Sequence, residues 1–222
     1  IPVDAPVIRI FFDLFMDSWF LCVLDFNRIL KVMKIEEVHQ LLRNRKSVYP
    51  PSYLDKPIER KVLEELLESA NWAPTHKLTE PWRFKVFLGN GRKKLGTFMA
   101  EKYRSTTPMD DFSITRYDKL KTNPVKSGAV LAICIQLDDQ KRVPEWEELA
   151  AVSCAVQNVW LAASAYQIGG YWSTPDIIDH LSELVAMKAG EKCIGLFYMG
   201  YYKPFAANRK RSPISEKTTW ID

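Results

Sequence analysis

Apolar residues recur at helical spacing at Ile35, Val38, Leu41 and Leu42, and again at Val62, Leu63, Leu66 and Leu67. Each set marks one face of a helix, because positions three and four apart lie on the same side of a 3.6-residue turn. The first helix is expected over 34–43 and leads into a polar, proline-bearing loop, 44–56. Pro57 marks the start of the second, since a missing N–H costs nothing in a first helical turn, and Pro74 ends it. From Trp82 to Leu88 apolar and polar residues alternate as in a half-buried strand, and Gly89-Asn90-Gly91 reads as a turn. Two helices follow, near 92–103 and 112–123. Ala129 to Leu137 is almost wholly apolar and rich in β-branched residues, the pattern of a strand buried on both faces.

The stretch 146–167 reads as a long helix with small residues on most of its sides, suited to a domain centre or a large subunit contact. Gly169-Gly170 breaks it. A short extended piece at 171–173, an amphipathic helix over 176–187 and a buried strand over 193–201 complete the pattern, and the last twenty residues are irregular and polar. This order, with helices clustered between few strands and no G-x-G-x-x-G turn, argues against a doubly wound dinucleotide fold. The expectation is an α+β domain with a small central sheet flanked by helices.

Composition adds little to that picture but excludes several functions. The 222 residues, 47% hydrophobic and 26% charged, fit one ordinary globular domain. Thirty-one basic residues against 27 acidic give a net charge of only +4, with one local cluster at Arg209, Lys210 and Arg211. Nucleic-acid binding draws on a stripe of positive charge, so one tribasic cluster suits a single phosphate or a solvated tail rather than a duplex. Cys22, Cys134, Cys154 and Cys193 are far apart, which disfavours a metal cluster and points to a reducing compartment, the cytoplasm. Residues 1–32 are apolar but interrupted by Asp4, Arg9, Asp13, Asp17, Asp25 and Arg28, too often for a membrane span of about 20 residues. Nor do they carry the basic start of a secretory signal. The expected division is therefore an upstream extension, 1–32, that is either non-native or an extra arm, followed by one domain over 33–222.

Four short segments carry candidate chemistry, and each has a bland reading beside it. Arg45-Lys46-Ser47 offers two cations and a hydroxyl for a phosphate, or merely a basic helix end that complements the macrodipole. The loop from Asn71 to Phe84, with two prolines and two tryptophans, is rigid and aromatic-walled; His76 within it is a ligand-facing group or a structural hydrogen-bonding residue. Gly169-Gly170-Tyr171-Trp172-Ser173-Thr174-Pro175 lets backbone approach a flat ligand, or is a helix cap running into a strand. The fourth segment is the basic tail, Arg209-Lys210-Arg211-Ser212-Pro213.

In this order the four segments resemble the nitroreductase family of FMN enzymes, over nearly all of the chain from Met33 onward. Arg45-Lys46-Ser47 matches an R-R-S-like element. Ala73-Pro74-Thr75 through Pro81-Trp82-Arg83-Phe84 matches A-P-S-x-x-N-x-Q-P-W-x-F, and Ala150 to Trp172 matches a small-residue helix followed by G-x-G-x-x-W. Arg211-Ser212-Pro213-Ile214-Ser215-Glu216 matches the tail. Ala73 to Lys77 and Val143 to Glu147 also resemble A-P-x-H-K and V-P-x-W-E of a small single-domain bacterial subgroup.

The resemblance implies a nitroreductase-like α+β fold with a mostly antiparallel sheet, in an intertwined homodimer with both flavins at the subunit contact. It implies that Arg45, Lys46 and Ser47 hold the FMN phosphate and ribityl chain, with Arg211, or failing that Arg209, as a further cation. Trp72 and His76 would line the flavin from the partner subunit, and Trp172, Ser173 and Thr174 would meet it near the ring. The implied reaction passes hydride from NAD(P)H through flavin N5 to a nitroaromatic or quinone-like acceptor by a ping-pong cycle, with no metal and no catalytic side chain in the strict sense. A dehalogenase, a flavin-fragmenting enzyme and a flavin-binding protein without turnover are the alternatives. Leu78 and Glu80 stand where the family has Asn and Gln, which bears on the range of acceptors.

Overall fold

The computed structural model describes residues 34–205 and 210–222. The expectation about 1–32, and the alternative role of Arg209, lie outside the described residues. The described residues fall into two units, divided between Leu42 and Arg43. Helix α1, Ile35–Asn44, carries Glu36 and Glu37 in its first turn and Arg43 in its last, charges that complement the helix dipole, and it buries none of its residues.

The second unit is an α+β domain built on a four-stranded antiparallel sheet of order β1-β2-β4-β3, comprising β1 (Trp82–Phe87), β2 (Ala129–Gln136), β3 (Ile168–Ser173) and β4 (Glu191–Tyr201). Strand β2 is buried along nearly its whole length and pairs with β4 from Ala129 opposite Met199 to Gln136 opposite Glu191. Side chains on a strand alternate between faces, so the continuous apolar run feeds two cores. Leu131, Ile133, Ile135, Phe197 and Met199 face α2 (Arg60–Asn71) and α5 (Glu145–Ala165), packing with Leu63, Leu66, Val152, Val156 and Val159. Val130, Ala132, Cys134, Leu196 and Tyr198 point the other way, towards Leu95 and Met99 of α3 (Gly89–Thr106) and Leu120 of α4 (Ile114–Lys126). Cys134 and Cys193 face one another across the β2–β4 pair as buried free thiols, and the Cys193 thiol together with burial pushes Cys134 far above its ordinary pKa. They behave as small hydrophobes, as their apolar surroundings predict.

Several element ends differ from the sequence pattern for identifiable reasons. Helix α2 begins at Arg60 rather than Pro57, because the chain stays extended to bury Ile58 against Gly128. Gly89-Asn90-Gly91 is both the expected turn, with Gly89 at φ 46°, and the opening of α3. The stretch from Asp176 to Glu183 winds as a 3-10 helix, not an α-helix; Ile177 and Leu181 still bury towards the sheet, so apolar spacing alone did not separate the two windings. The long helix is broken two residues before the paired glycines, by Gln167 in the left-handed region at φ 55°.

That earlier break places Gly169 and Gly170 inside β3, where their lack of a side chain serves the protein itself. A Cβ on Gly170 would lie 2.2 Å from Phe197 Cζ, and one on Gly169 would lie 2.6 Å from Val48 Cβ. Gly170→Ala is expected to destabilise the domain by about 1–3 kcal/mol through overpacking, lowering Tm by roughly 3–10 °C. Gly91→Ala meets nothing nearer than 3.8 Å and serves as the control. Thermal melts of both variants check this.

Candidate functional site

Strand β3 is an edge strand, and the segment after α1 closes its free side. Ser47 bridges Gly170 in parallel, and the Val48 N–H donates to Gly170 O at 3.0 Å. Tyr53 locks the segment from beneath, its hydroxyl donating to Val48 O at 2.6 Å and lying 2.9 Å from Tyr198 O. Burial pushes the Tyr53 phenol far above its ordinary pKa, which leaves it a neutral donor. Two segments more than a hundred residues apart are thereby brought together: Arg45-Lys46-Ser47 lies alongside the strand that runs on through Trp172 and Ser173 to Thr174.

Each of these side chains has a definite setting. The Arg45 guanidinium carbon sits 4.6 Å above the ring of Trp160, a residue of α5 to which the sequence drew no attention. Lys46 donates to Phe205 O and has its ammonium 3.9 Å from the Phe205 ring centre, so its charge is directed at the start of the tail. Trp172 packs over Gly195 of β4. The indole N–H groups of Trp160 and Trp172 are both buried without an acceptor among the described residues. Arg211 is exposed in the tail, and no described contact joins it to Arg45, Lys46 or Ser47.

His76 and Trp72 belong to a different part of the chain. His76 Nδ1 lies 2.6 Å from Glu147 Oε2 in the first turn of α5, and Lys77 Nζ donates to Arg142 O at 2.8 Å. Thr75 Oγ1 accepts the Glu80 N–H at 3.1 Å, closing the loop on itself. Within this closure Lys77, Leu78 and Glu80 all take positive φ, of 52°, 51° and 44°. For a non-glycine residue that conformation costs roughly 1–2 kcal/mol each, least for Asn. Position 78 therefore suits the Asn of the resembled motif better than the Leu present. The strained loop turns Leu78 outward at 78% exposure, and Trp72 is 79% exposed. Trp82 is the buried tryptophan of the pair; its N–H donates to Asn71 Oδ1 at 3.3 Å, so its part is to fix the loop. Glu147 and Trp160 are thirteen residues apart, which separates the His76 loop from Arg45 by about 20 Å along α5.

The segment at the β3 edge offers a fork-shaped cation at Arg45 and a hydroxyl at Ser47 on one backbone frame, groups of the kind that hold a phosphate. No grouping of His, Cys, Asp or Glu among the described residues suits a metal ion. No helix among them is long and apolar enough to cross a membrane.

Known proteins resemble this arrangement. The profile of the nitroreductase family matches residues 42–201. Escherichia coli K12 YdjA, named provisionally as an NAD(P)H nitroreductase, is 28% identical over 164 residues, which are 72% of this chain and 86% of its own. The crystal structure of a nitroreductase-like family protein from Bacillus cereus superposes with a TM-score of 0.72 at 28% identity, covering 83% of this chain and 96% of that one. The FMN-dependent nitroreductase NfnB of Mycobacterium smegmatis, crystallised with NADPH, has the same fold, with a TM-score of 0.69 at 14% identity over 85% of this chain and 99% of that one.

Two predictions concern the anchoring of the His76 loop. Glu147→Gln is expected to raise amide hydrogen exchange at Lys77 to Glu80, while the exposed pair adds less than about 1 kcal/mol to global stability. The second concerns the neighbouring turn, where Arg142 supplies the carbonyl that receives Lys77. The Arg142 side chain and N–H both bond to Asp138 and hold its carboxyl down at about 2. A depressed carboxylate pKa stabilises the fold above its unfolded value of about 4, and that contribution is lost as pH falls through the folded value. The stability gap between native protein and Asp138→Asn is therefore expected to be constant near neutrality and to close below about pH 4, as read from urea midpoints across pH.

Proposed function

Because the chain belongs to the nitroreductase family, we propose that it is an FMN-dependent oxidoreductase that draws reducing equivalents from NAD(P)H and passes them to electron-poor aromatic acceptors such as quinones and nitroaromatics. The observation that carries this reading is the pairing of Ser47 with Gly170, which sets a basic segment beside Trp172, Ser173 and Thr174 on a rigid strand edge. Arg45 presents a guanidinium that matches a phosphate in two parallel hydrogen bonds, and Ser47 adds a hydroxyl. Lys46, turned towards Phe205, holds the start of the tail and contributes its charge at longer range. Arg211 would join the phosphate once the tail lies across the site.

FMN, when bound, supplies the hydride acceptor and donor in one ring, so the protein has to bind, orient and shield rather than attack. Trp172 and its neighbours would border the ring on the β3 side. The loop bearing Trp72 and His76 stands about 20 Å along α5 from Arg45, which supports its serving the flavin of a second protomer. Homodimer formation is part of the proposal for a further reason. Trp72, Leu78, Trp146 and Leu149 are each exposed at the loop and the first turns of α5, and exposed apolar surface of this kind supports a protein contact there.

An absorbance spectrum of the purified protein, taken before and after NADPH addition without oxygen, tests the reading. Two visible flavin bands that bleach with NADPH and return with a quinone are the expected result. Bands that persist would mean another reductant or no turnover, and a colourless protein that FMN cannot reconstitute would end the proposal.

A further inference from the structure

Resting on the reading of Arg45 as a phosphate ligand, we propose that Trp160 is the positioning residue that holds the Arg45 guanidinium in its phosphate-binding orientation, and so sets the preference for a phosphorylated flavin. The guanidinium carbon lies 4.6 Å over the Trp160 ring. Stacking of this kind uses the flat face of the guanidinium and so sets the plane of its N–H fork, which matches two oxygens of a phosphate. It also narrows the rotamers of a long side chain before ligand arrives, which reduces the ordering that binding would otherwise require.

The ring itself is fixed by the fold. Phe197, almost wholly buried in β4, meets Trp160 edge-on with ring centres 5.1 Å apart and planes at 70°. The same Phe197 ring occupies the space above Gly170, whose carbonyl receives Val48 N–H and whose partner in the bridge is Ser47. One aromatic side chain thus fixes both the Arg45 platform and the backbone that carries Ser47. Trp160 has a feature that packing alone does not explain. Its indole N–H is buried with no acceptor among the described residues, a cost that phenylalanine would avoid while making the same edge contact with Phe197. What tryptophan adds is the strongest aromatic face for a cation.

The test uses the full chain freed of flavin, titrated with FMN and separately with riboflavin, which lacks the phosphate. Native protein is expected to favour FMN. Trp160→Leu should weaken FMN roughly tenfold, and Trp160→Phe should weaken it less, with riboflavin affinity unchanged within about twofold in both. In an Arg45→Met background, which has lost the preference, Trp160→Leu should have no further effect. Equal weakening of both ligands, or an unchanged FMN preference in folded Trp160→Phe and Trp160→Leu proteins, overturns the role of Trp160 alone. Native protein that binds FMN and riboflavin equally removes the phosphate role of Arg45, and this proposal with it. Circular dichroism of each variant separates these results from misfolding.

Discussion

The antiparallel pairing of β2 with β4 is the constraint from which the remaining architecture follows. Both strands are apolar on both faces, and a sheet with two greasy faces is stable only when each is covered. One cover is α5 with α2, the other α3 with α4. The strands left at the edges, β1 and β3, then differ in what they offer. The partially exposed strand β1 receives the loop from α2. Strand β3 keeps an open side that the Ser47 segment takes up, and this is where the candidate phosphate ligands gather.

The two-sided core was legible because it depends on period and composition alone. Among the described residues, the four strands and the five α-helices lie within a few residues of where the sequence pattern placed them, while the helix expected over 176–187 is a 3-10 helix. The misreadings arose where tertiary contacts overrode local signals. Pro57 is a good helix starter, but burying Ile58 beneath Gly128 keeps the chain extended for three more residues. Gly169 and Gly170 look like a helix stop, yet Gln167 accepts the left-handed conformation and leaves the glycines to admit Val48 and Phe197.

The candidate site was legible only in pieces. Arg45 and Trp172 are each unremarkable in sequence, and nothing local says that Ser47 bridges Gly170. Trp160 was missed altogether, since a tryptophan on a largely apolar helix reads as core. The signal that separates it from core is its position: it is partly exposed and directed at the one arginine of the segment beside β3. Lys46 shows a parallel case. Its charge suits a phosphate by type, and in the structure it contacts the carbonyl and ring of Phe205, a pairing that no local pattern announces.

The loop from Thr75 to Glu80 raises a separate question of energy. Three costs of left-handed backbone, at Lys77, Leu78 and Glu80, are held in place by Thr75, Glu147 and the Arg142 carbonyl, and the outcome within one chain is an exposed Leu78 and an exposed Trp72. Strain persists where the surrounding structure over-determines it, and exposing two large apolar groups adds nothing to a lone protomer. Both costs are offset if a second copy covers this surface. On that reading the phosphate end of the flavin is held by β3 and Arg45 of one protomer and the ring end by the loop of the other. Binding and assembly then become a single linked equilibrium, in which a ligand that contacts both protomers stabilises the dimer by the same free energy with which the dimer stabilises the ligand. On the same reading, the hydrogen bonds that order the loop within one chain would lower the ordering cost of presenting it to a second copy.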